Sequence, residues 1–570
     1  MNGFLETIGY GGWVLHALVF LPLVGMFLVL AADETRAKHL AFALACVEFL
    51  ISLPLWFAFN PAVGDYQFAS SAEWIPAWGI HYAVGIDGIS VLLVLLTTLL
   101  TPIAILGSYR YIQRRERAFY AMMLLLETGV VGVFVALDVF LFYVFWEVML
   151  VPMYFIIGIW GGERRIYSAI KFFLFTAAGS LLMLVAILFL VWKLAAQTGQ
   201  VSFLLEDLLT VALTFREQIW LFVAFALAFA IKVPVFPLHT WLPDAHVEAP
   251  TPGSVVLAAV LLKMGTYGFL RFLLPLFPEV ATDAAAVSAM MVLGLIGIIY
   301  AAWVAAVQPD AKKLIAYTSV AHMGFVVLGI FALTLQGIQG AMIVMLSHGA
   351  STGAMFLLLG MLYERRHTRT IAEFGGLAAV MPMFATIFVL TALASIGLPG
   401  TSGFVGEFLA LLGTFQTHPW VALIASTGVI FAAYYMLPMV QRMWFGEVER
   451  EENRALPDLD RRELAVLAPL VILMLWMGIY PKPFLERTET SVQQLIEQVE
   501  ARRATGPIVR APAAHEQAQA QAEARVEAQV EAEAEAEAQA EAPVVQVRGR
   551  AGLSAQARAA GPVVLTAVER

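Results

Sequence analysis

The 570-residue chain contains one cysteine, Cys46. Without a second thiol it has no internal disulfide. Without a CxxC pair or a haem-attachment motif it cannot by itself ligate an iron–sulfur cluster or covalent haem. It has no GxGxxG and no Walker lysine motif, so dinucleotide and ATP chemistry have no home in it and any energy source lies elsewhere. Charge is also scarce, at 14% of residues, where soluble domains carry about 25%. Met1 to Tyr10 lack a basic n-region and lead into an apolar run of full spanning length, so a cleavable signal peptide is not expected. The net charge of −9 says little about partners, because much of it lies in the far C-terminal segment.

What the chain has is apolar surface: 60% of its residues are hydrophobic and its mean hydropathy is +0.80. That composition belongs in lipid, and the expected class is an all-α, polytopic membrane protein. Counting apolar runs of about 20 residues predicts fourteen spans, at 12–31, 38–57, 86–108, 118–135, 137–159, 167–192, 217–238, 253–275, 284–306, 313–333, 338–362, 378–416, 419–441 and 463–480. Basic residues test that count, because they gather on the cytoplasmic side. One alternate set of loops and span ends carries eighteen Lys and Arg, from Arg36 to Arg462, while the other set holds only Lys193, Arg216 and Arg271. This asymmetry fits an even number of spans with both termini outside. The loop at 58–80 has no basic residue and two Trp, as an external interfacial segment should.

Spans four to eight and nine to thirteen form two groups of five. An odd number of crossings starts the second group from the opposite face, so repeats of this kind are inverted. Each group is interrupted in its fourth span. In the first, Lys232 follows thirteen apolar residues (Ile219 to Ile231) and is followed by Pro234 and Pro237, which cannot donate helix hydrogen bonds. In the second the break is Gly397-Leu-Pro-Gly-Thr-Ser-Gly403. Broken helices at corresponding places of two halves point to a transport site. The expected organisation is 1–116 (first three spans), 117–275 and 284–447 (the two repeats), 448–485 (last span) and 486–570, a low-complexity external tail rich in Ala and Glu.

Ionisable residues within the spans are few: Glu147, Lys232, Lys263, His322, His348 and Glu407, with Glu127 also buried and Lys171 near the start of span six. A charge at the bilayer centre costs about 2.5–3.5 kcal/mol on insertion scales, so such residues are kept for a purpose. Glu147 and Lys232 are opposite charges at comparable depth, and moving the carboxylate away releases a proton from the lysine. Lys263 is the acceptor, His322 and His348 suit relays, and Glu407 is the terminal acceptor. Read in chain order, the six form a lateral proton wire. The competing reading makes each charge a structural lock between helices, and either histidine a donor to a backbone carbonyl. His239, Asp244, His246 and Glu248 fall in a cytoplasmic loop, where helix capping is favoured over metal ligation.

FWEVMLVPMYFIIGIWGG (145–162), AIKVPVFPLHTWLPDAHVEAPTPGSVVLAAVLLKMGTYGFLRF (230–272), KKLIAYTSVAHMGFVVLGI (312–330) and GLPGTSGFVGEFLALLG (397–413) resemble the antiporter-like proton-pumping subunits of respiratory complex I. The resemblance covers about 80–485. It implies a proton channel of two inverted five-helix repeats, with the key pair on Glu147 and Lys232, the central lysine on Lys263, relay histidines on His322 and His348, and the exit residue on Glu407. Sister subunits L and N usually carry lysine at that last position and subunit M carries glutamate, so Glu407 points to the M type. The resemblance also implies neighbours of the L and N type and a multi-pass place in a bacterial inner membrane with both termini periplasmic. NADH, FMN, iron–sulfur clusters and quinone are then expected in other subunits and no cofactor in this chain. Nucleic acid is not an expected partner. Subunits of multi-component Na⁺/H⁺ antiporters and membrane-bound hydrogenases share the broken helices and remain the alternative.

Overall fold

A computed structural model describes residues 2–505. The Ala/Glu-rich stretch at 512–543 and the rest of the expected tail beyond 505 lie outside the described residues. In chain order come α1 (Tyr10–Ala31), α2 (Glu34–Ser52), a hairpin of β1 (Gln67–Ile75) and β2 (Ile80–Ile86), α3 (Val91–Ser108), α4 (Glu116–Val135), α5 (Val139–Trp160) and α6 (Arg165–Thr198). Then follow α7 (Phe215–Lys232), α8 (Trp241–Glu248), α9 (Thr251–Leu276), α10 (Ala284–Ala306), α11 (Ala311–Phe331) and α12 (Leu335–Arg366). The last five are α13 (Pro382–Ile396), α14 (Ser402–Thr417), α15 (Pro419–Trp444), α16 (Arg461–Ile479) and α17 (Lys482–Thr505).

Twelve helices among the described residues are long and apolar enough to cross a membrane. The two other expected spans, 217–238 and 378–416, are the interrupted ones. The first is split into α7 and α8 because Pro234 and Pro237 withhold two backbone donors just beyond Lys232. The second is split into α13 and α14 at Gly397 and Gly400, whose φ values of 86° and 91° suit glycine alone.

The middle of the bundle is α12, whose apolar window is wholly buried. It packs against α11 and α14, and also touches α3, α9, α13, α16 and α17. In a membrane, helices gain by close packing rather than by expelling water, so small residues line the contacts. A Cβ on Gly406 of α14 would stand 2.6 Å from the Val344 amide nitrogen of α12, and one on Gly265 of α9 would stand 2.8 Å from the Phe229 carbonyl of α7. At these glycines each helix therefore lies backbone against backbone on its neighbour, which fixes what the side chains one turn away can reach.

The loop expected at 58–80 is largely β-structure. β1 and β2 pair antiparallel with Ala72 opposite Tyr82 and Gln67 opposite Ile86, and Gly79 turns the chain at φ 64°. Asp138 anchors this hairpin to the bundle. Its carboxylate accepts the His81 amide at 2.9 Å and caps α5 by accepting from Phe140 and Leu141, both at 2.9 Å. Arg271 of α9 closes a buried ion pair on Asp87 at 2.5 Å.

α17 begins where the sequence composition changes and takes in residues 486–505 of the expected tail. Its buried side is Phe484, Thr488, Ser491, Val492, Leu495, Val499 and Arg502, at helical spacing. Ser491 accepts the Gly88 amide at 2.9 Å, Gln339 donates to the Leu485 carbonyl at 2.9 Å, and Arg502 donates to the Pro275 carbonyl. Burial brings the Arg502 guanidinium down to about 10, so it stays charged at neutral pH. A chain ended after Ala504 keeps this whole buried side. It is expected to assemble at the wild-type level, as judged by complex content on native gels; loss of assembly would show that the removed segment docks on a partner.

Candidate functional site

Lys232 is the last residue of α7 and fully buried. The break leaves the Ile231 carbonyl to be satisfied from outside the helix, and the Trp241 indole donates to it at 2.8 Å. The short helix α8 is held by the Lys171–Asp244 ion pair at 2.7 Å, with the Lys171 ammonium also on the Thr240 carbonyl at 3.0 Å. Glu248 accepts the Arg164 amide at 2.9 Å. Asp244 and Glu248 therefore fasten α8 to α6, and among the described residues no group of three or more His, Cys, Asp or Glu side chains is placed to hold a metal ion.

Glu147 and Lys232 make no direct ion pair. The Lys232 Nζ sits 3.3 Å from Met149 Sδ and over the rings of Trp146 and Phe172, at 5.4 and 5.5 Å. Glu147 stands at electrostatic reach of it, half-buried, beside the hydroxyls of Tyr143 and Ser180. One Glu147 carboxylate oxygen is buried without a hydrogen-bond partner. The aromatic cradle stabilises the ammonium by cation–π attraction, and the expected pair stands apart rather than in contact.

The second half is hydrogen-bonded at both of its ends. Lys263, fully buried on α9, follows a π-helical turn at Leu257–Leu261; such turns occur often at functional sites. Its Nζ donates to the Ala258 carbonyl at 2.6 Å and lies 2.7 Å from His348 Nδ1. The rings of His348 and His322 are 5.8 Å apart, and His322 Nδ1 is 2.8 Å from Glu407 Oε1. Ser395 faces His322 Nε2 at 3.3 Å, and Ser347 bonds Ser402 at 2.7 Å. Between them is a cavity of about 10 Å³ lined by both histidines, Ser351 and Glu407, at the lower limit for one water. In space the order is Lys263, His348, His322, Glu407, so chain order had the two histidines exchanged. All four are no more than 6% exposed.

No hydrogen bond joins Lys232 to Lys263 among the described residues, although α7 and α9 meet at Gly265, where a Cβ would stand 3.1 Å from Lys232 Cβ. Two further groups belong to the site. His246 on α8 is fully buried, stacks on Phe356 at 4.5 Å, and has no partner for either ring nitrogen. Lys312 donates to the Ala249 carbonyl at 2.7 Å and lines a crevice of about 230 Å³ with Tyr111, Glu248, Thr251, Tyr363 and Arg369. His246 was read as a loop residue because the proline-rich break hides the helix α8, and Lys312 because it borders a basic loop.

Comparison with known proteins matches residues 136–432 to the family described as NADH:quinone oxidoreductase/Mrp antiporter, TM, and residues 18–131 to the one described as NADH-ubiquinone oxidoreductase chain 4, amino terminus. The chain is 47% identical over 503 residues to NADH-quinone oxidoreductase subunit M of Rhodobacter capsulatus, covering 86% of this chain and 97% of that one. It is 44% identical to NADH-ubiquinone oxidoreductase chain 4 of Marchantia polymorpha, covering 85% and 97%. Among solved structures it is similar to a chain of Thermus thermophilus respiratory complex I, with a TM-score of 0.78 and 36% identity over 85% of this chain and 99% of that one. A chain of the Mrp complex of a Dietzia species shares the fold, with a TM-score of 0.75 at 20% identity over 87% and 99%.

Proposed function

Because the chain belongs to the family of NADH:quinone oxidoreductase and Mrp antiporter membrane subunits, within its subunit M (chain 4) branch, we propose that it translocates protons along Glu147, Lys232, Lys263, His348, His322 and Glu407. Electrons pass from NADH to quinone in other subunits of the complex, which hold the FMN and iron–sulfur clusters. The observation that carries this reading is the buried run from Lys263 to Glu407, with contacts of 2.7 and 2.8 Å at its two ends. An imidazole accepts a proton at one nitrogen and gives it up at the other. His348 takes the Lys263 proton at Nδ1, and its Nε2, which has no partner, faces onward. His322 then delivers to Glu407 through its own Nδ1. Proton entry is placed at the crevice of Lys312, with His246 behind it.

Two features support the wider arrangement. Glu147 is half-buried at membrane depth on α5, which suits a neighbouring subunit seated against it, and we assign the L- and N-type sister subunits as neighbours. The eighteen-to-three division of basic residues between alternate loops supports a reading with both termini on the periplasmic side of a bacterial inner membrane.

The test is Glu147→Gln. It removes the charge that Lys232 answers to across the Met149 gap and is expected to lower proton pumping per NADH oxidised by at least about tenfold, which corresponds to ~1.4 kcal/mol, at unchanged complex content. Unchanged pumping in assembled complex would exclude the coupled role of Glu147 and Lys232.

A further inference from the structure

Away from the row, two carboxyl groups are buried together. Glu48 of α2 and Glu127 of α4 are 0% and 2% exposed. Their side chains face each other at hydrogen-bonding reach, with Thr101 of α3 beside Glu127. None of the four carboxyl oxygens has a hydrogen-bond donor among the described residues. The Thr101 hydroxyl donates to the Thr97 carbonyl at 3.2 Å, and Ser52, one turn beyond Glu48, bonds Thr98 at 2.7 Å.

The cations of the surrounding elements are all engaged elsewhere. Lys38 pairs with Glu116 at 3.4 Å and Arg117 with Glu34 at 2.9 Å. His16 of α1 bonds the Tyr82 hydroxyl at 3.2 Å, His39 packs edge-on against Tyr109, and His81 of β2 gives its amide to Asp138. On α9, Lys263 faces His348 and Arg271 faces Asp87. Glu147 of α5 answers to Lys232. The charge that each of Glu48 and Glu127 meets is therefore the other's alone.

Two ionised carboxylates in that position would repel each other and would each lack both donor and counter-charge at membrane depth, where a single bare charge costs about 2.5–3.5 kcal/mol. One proton placed between them removes one charge and turns the contact into an O–H···O⁻ hydrogen bond, roughly twice as strong as a neutral one. A second proton would exchange that charge-assisted bond for a weaker neutral one. We propose that Glu48 and Glu127 form a proton-binding site that holds one proton between the two carboxyl groups at neutral pH. It lies one helix from the relay: α3 carries Thr101 towards the pair, and Leu96 of α3 packs against Gly349, next to His348. The inference stands on burial and on the absence of donors, and does not depend on the relay reading.

Infrared spectroscopy of the whole purified complex at neutral pH, in H₂O and D₂O, tests it. In Glu48→Gln the amide N–H donates to the Glu127 carboxylate and reproduces the shared proton's bond without a carboxylic acid; Glu127→Gln is the mirror case. The protonated-carboxyl band, sensitive to deuterium, is expected in the wild type and is expected to be lost in both variants. A wild type minus variant spectrum without such a band overturns the proposal, because neither group then carries the proton. A band that survives in either single variant also overturns it, because the pair then holds two protons. Should a single variant fail to assemble, Glu48→Gln/Glu127→Gln, neutral and mutually hydrogen-bonded, supplies the reference spectrum.

Discussion

Lys263→Ala is expected to abolish most proton pumping while leaving the complex assembled. The ammonium sits between the Ala258 carbonyl and His348 Nδ1, at 2.6 and 2.7 Å, and it is the only basic side chain on α9 at that depth. Without it, a proton arriving from the first half has no site before His348 and must cross as a bare charge. On insertion scales that costs about 2.5–3.5 kcal/mol, which slows passage roughly 70- to 350-fold. The alanine leaves the helix intact, since its propensity is the highest of any residue. The measurement is acidification of inverted membrane vesicles per NADH oxidised, at equal complex content. Pumping at the wild-type rate would remove Lys263 from the path.

Glu407 is the second case of large effect, because it separates a chemical requirement from a merely structural one. Glutamine keeps the shape and a hydrogen bond to His322 Nδ1, now at 2.8 Å from a carboxylate oxygen, but it cannot accept the proton. A hydrogen bond to a charged group is worth about 1.5–3 kcal/mol and a neutral one about 0.5–1.5, so the exchange costs about 1–1.5 kcal/mol and Glu407→Gln is expected to cut pumping by at least roughly 5- to 13-fold. Glu407→Lys supplies a group that binds and releases a proton, and is expected to keep a measurable fraction of pumping. The cavity beside it, about 10 Å³, leaves little room for the longer side chain, so recovery is partial. Equal, wild-type pumping for Gln and Lys would exclude Glu407 as the exit group.

The burial of Lys232, Lys263, His322, His348 and Glu407 was legible in the sequence because burial makes charge expensive, and an expensive residue in an apolar run stands out. The two helix breaks were legible for a related reason: Pro234 and Pro237, and the four residues from Gly397 to Gly400, cannot continue a helix. Their arrangement in space was not. Chain order placed His322 before His348, whereas packing of α9 on α12 puts His348 against Lys263 and leaves His322 to Glu407. The hairpin escaped notice because β1 is mostly exposed on both faces, so its residues do not alternate between apolar and polar. α17 escaped because its buried side mixes Thr488, Ser491 and Arg502 with Leu495 and Val499, which blunts the apolar periodicity. Glu48 was passed over because it lies in an otherwise ordinary apolar span, and what singles it out is Glu127 on another helix.

The π-helical turn at Leu257–Leu261 has a consequence for how this helix tolerates changes in length. An α-helix rotates about 100° per residue, so a one-residue deletion in most of α9 would swing every later side chain a quarter-turn or more and point Lys263 away from His348. A π turn accommodates one extra residue within an otherwise α-helical run. Deletion inside 257–261 therefore closes an ordinary turn and leaves both flanks in phase, and the same holds at Phe269–Leu273. Single-residue deletions in α9 are therefore expected to be tolerated only at those two points, where the phase of Lys263 is insulated from them on either side.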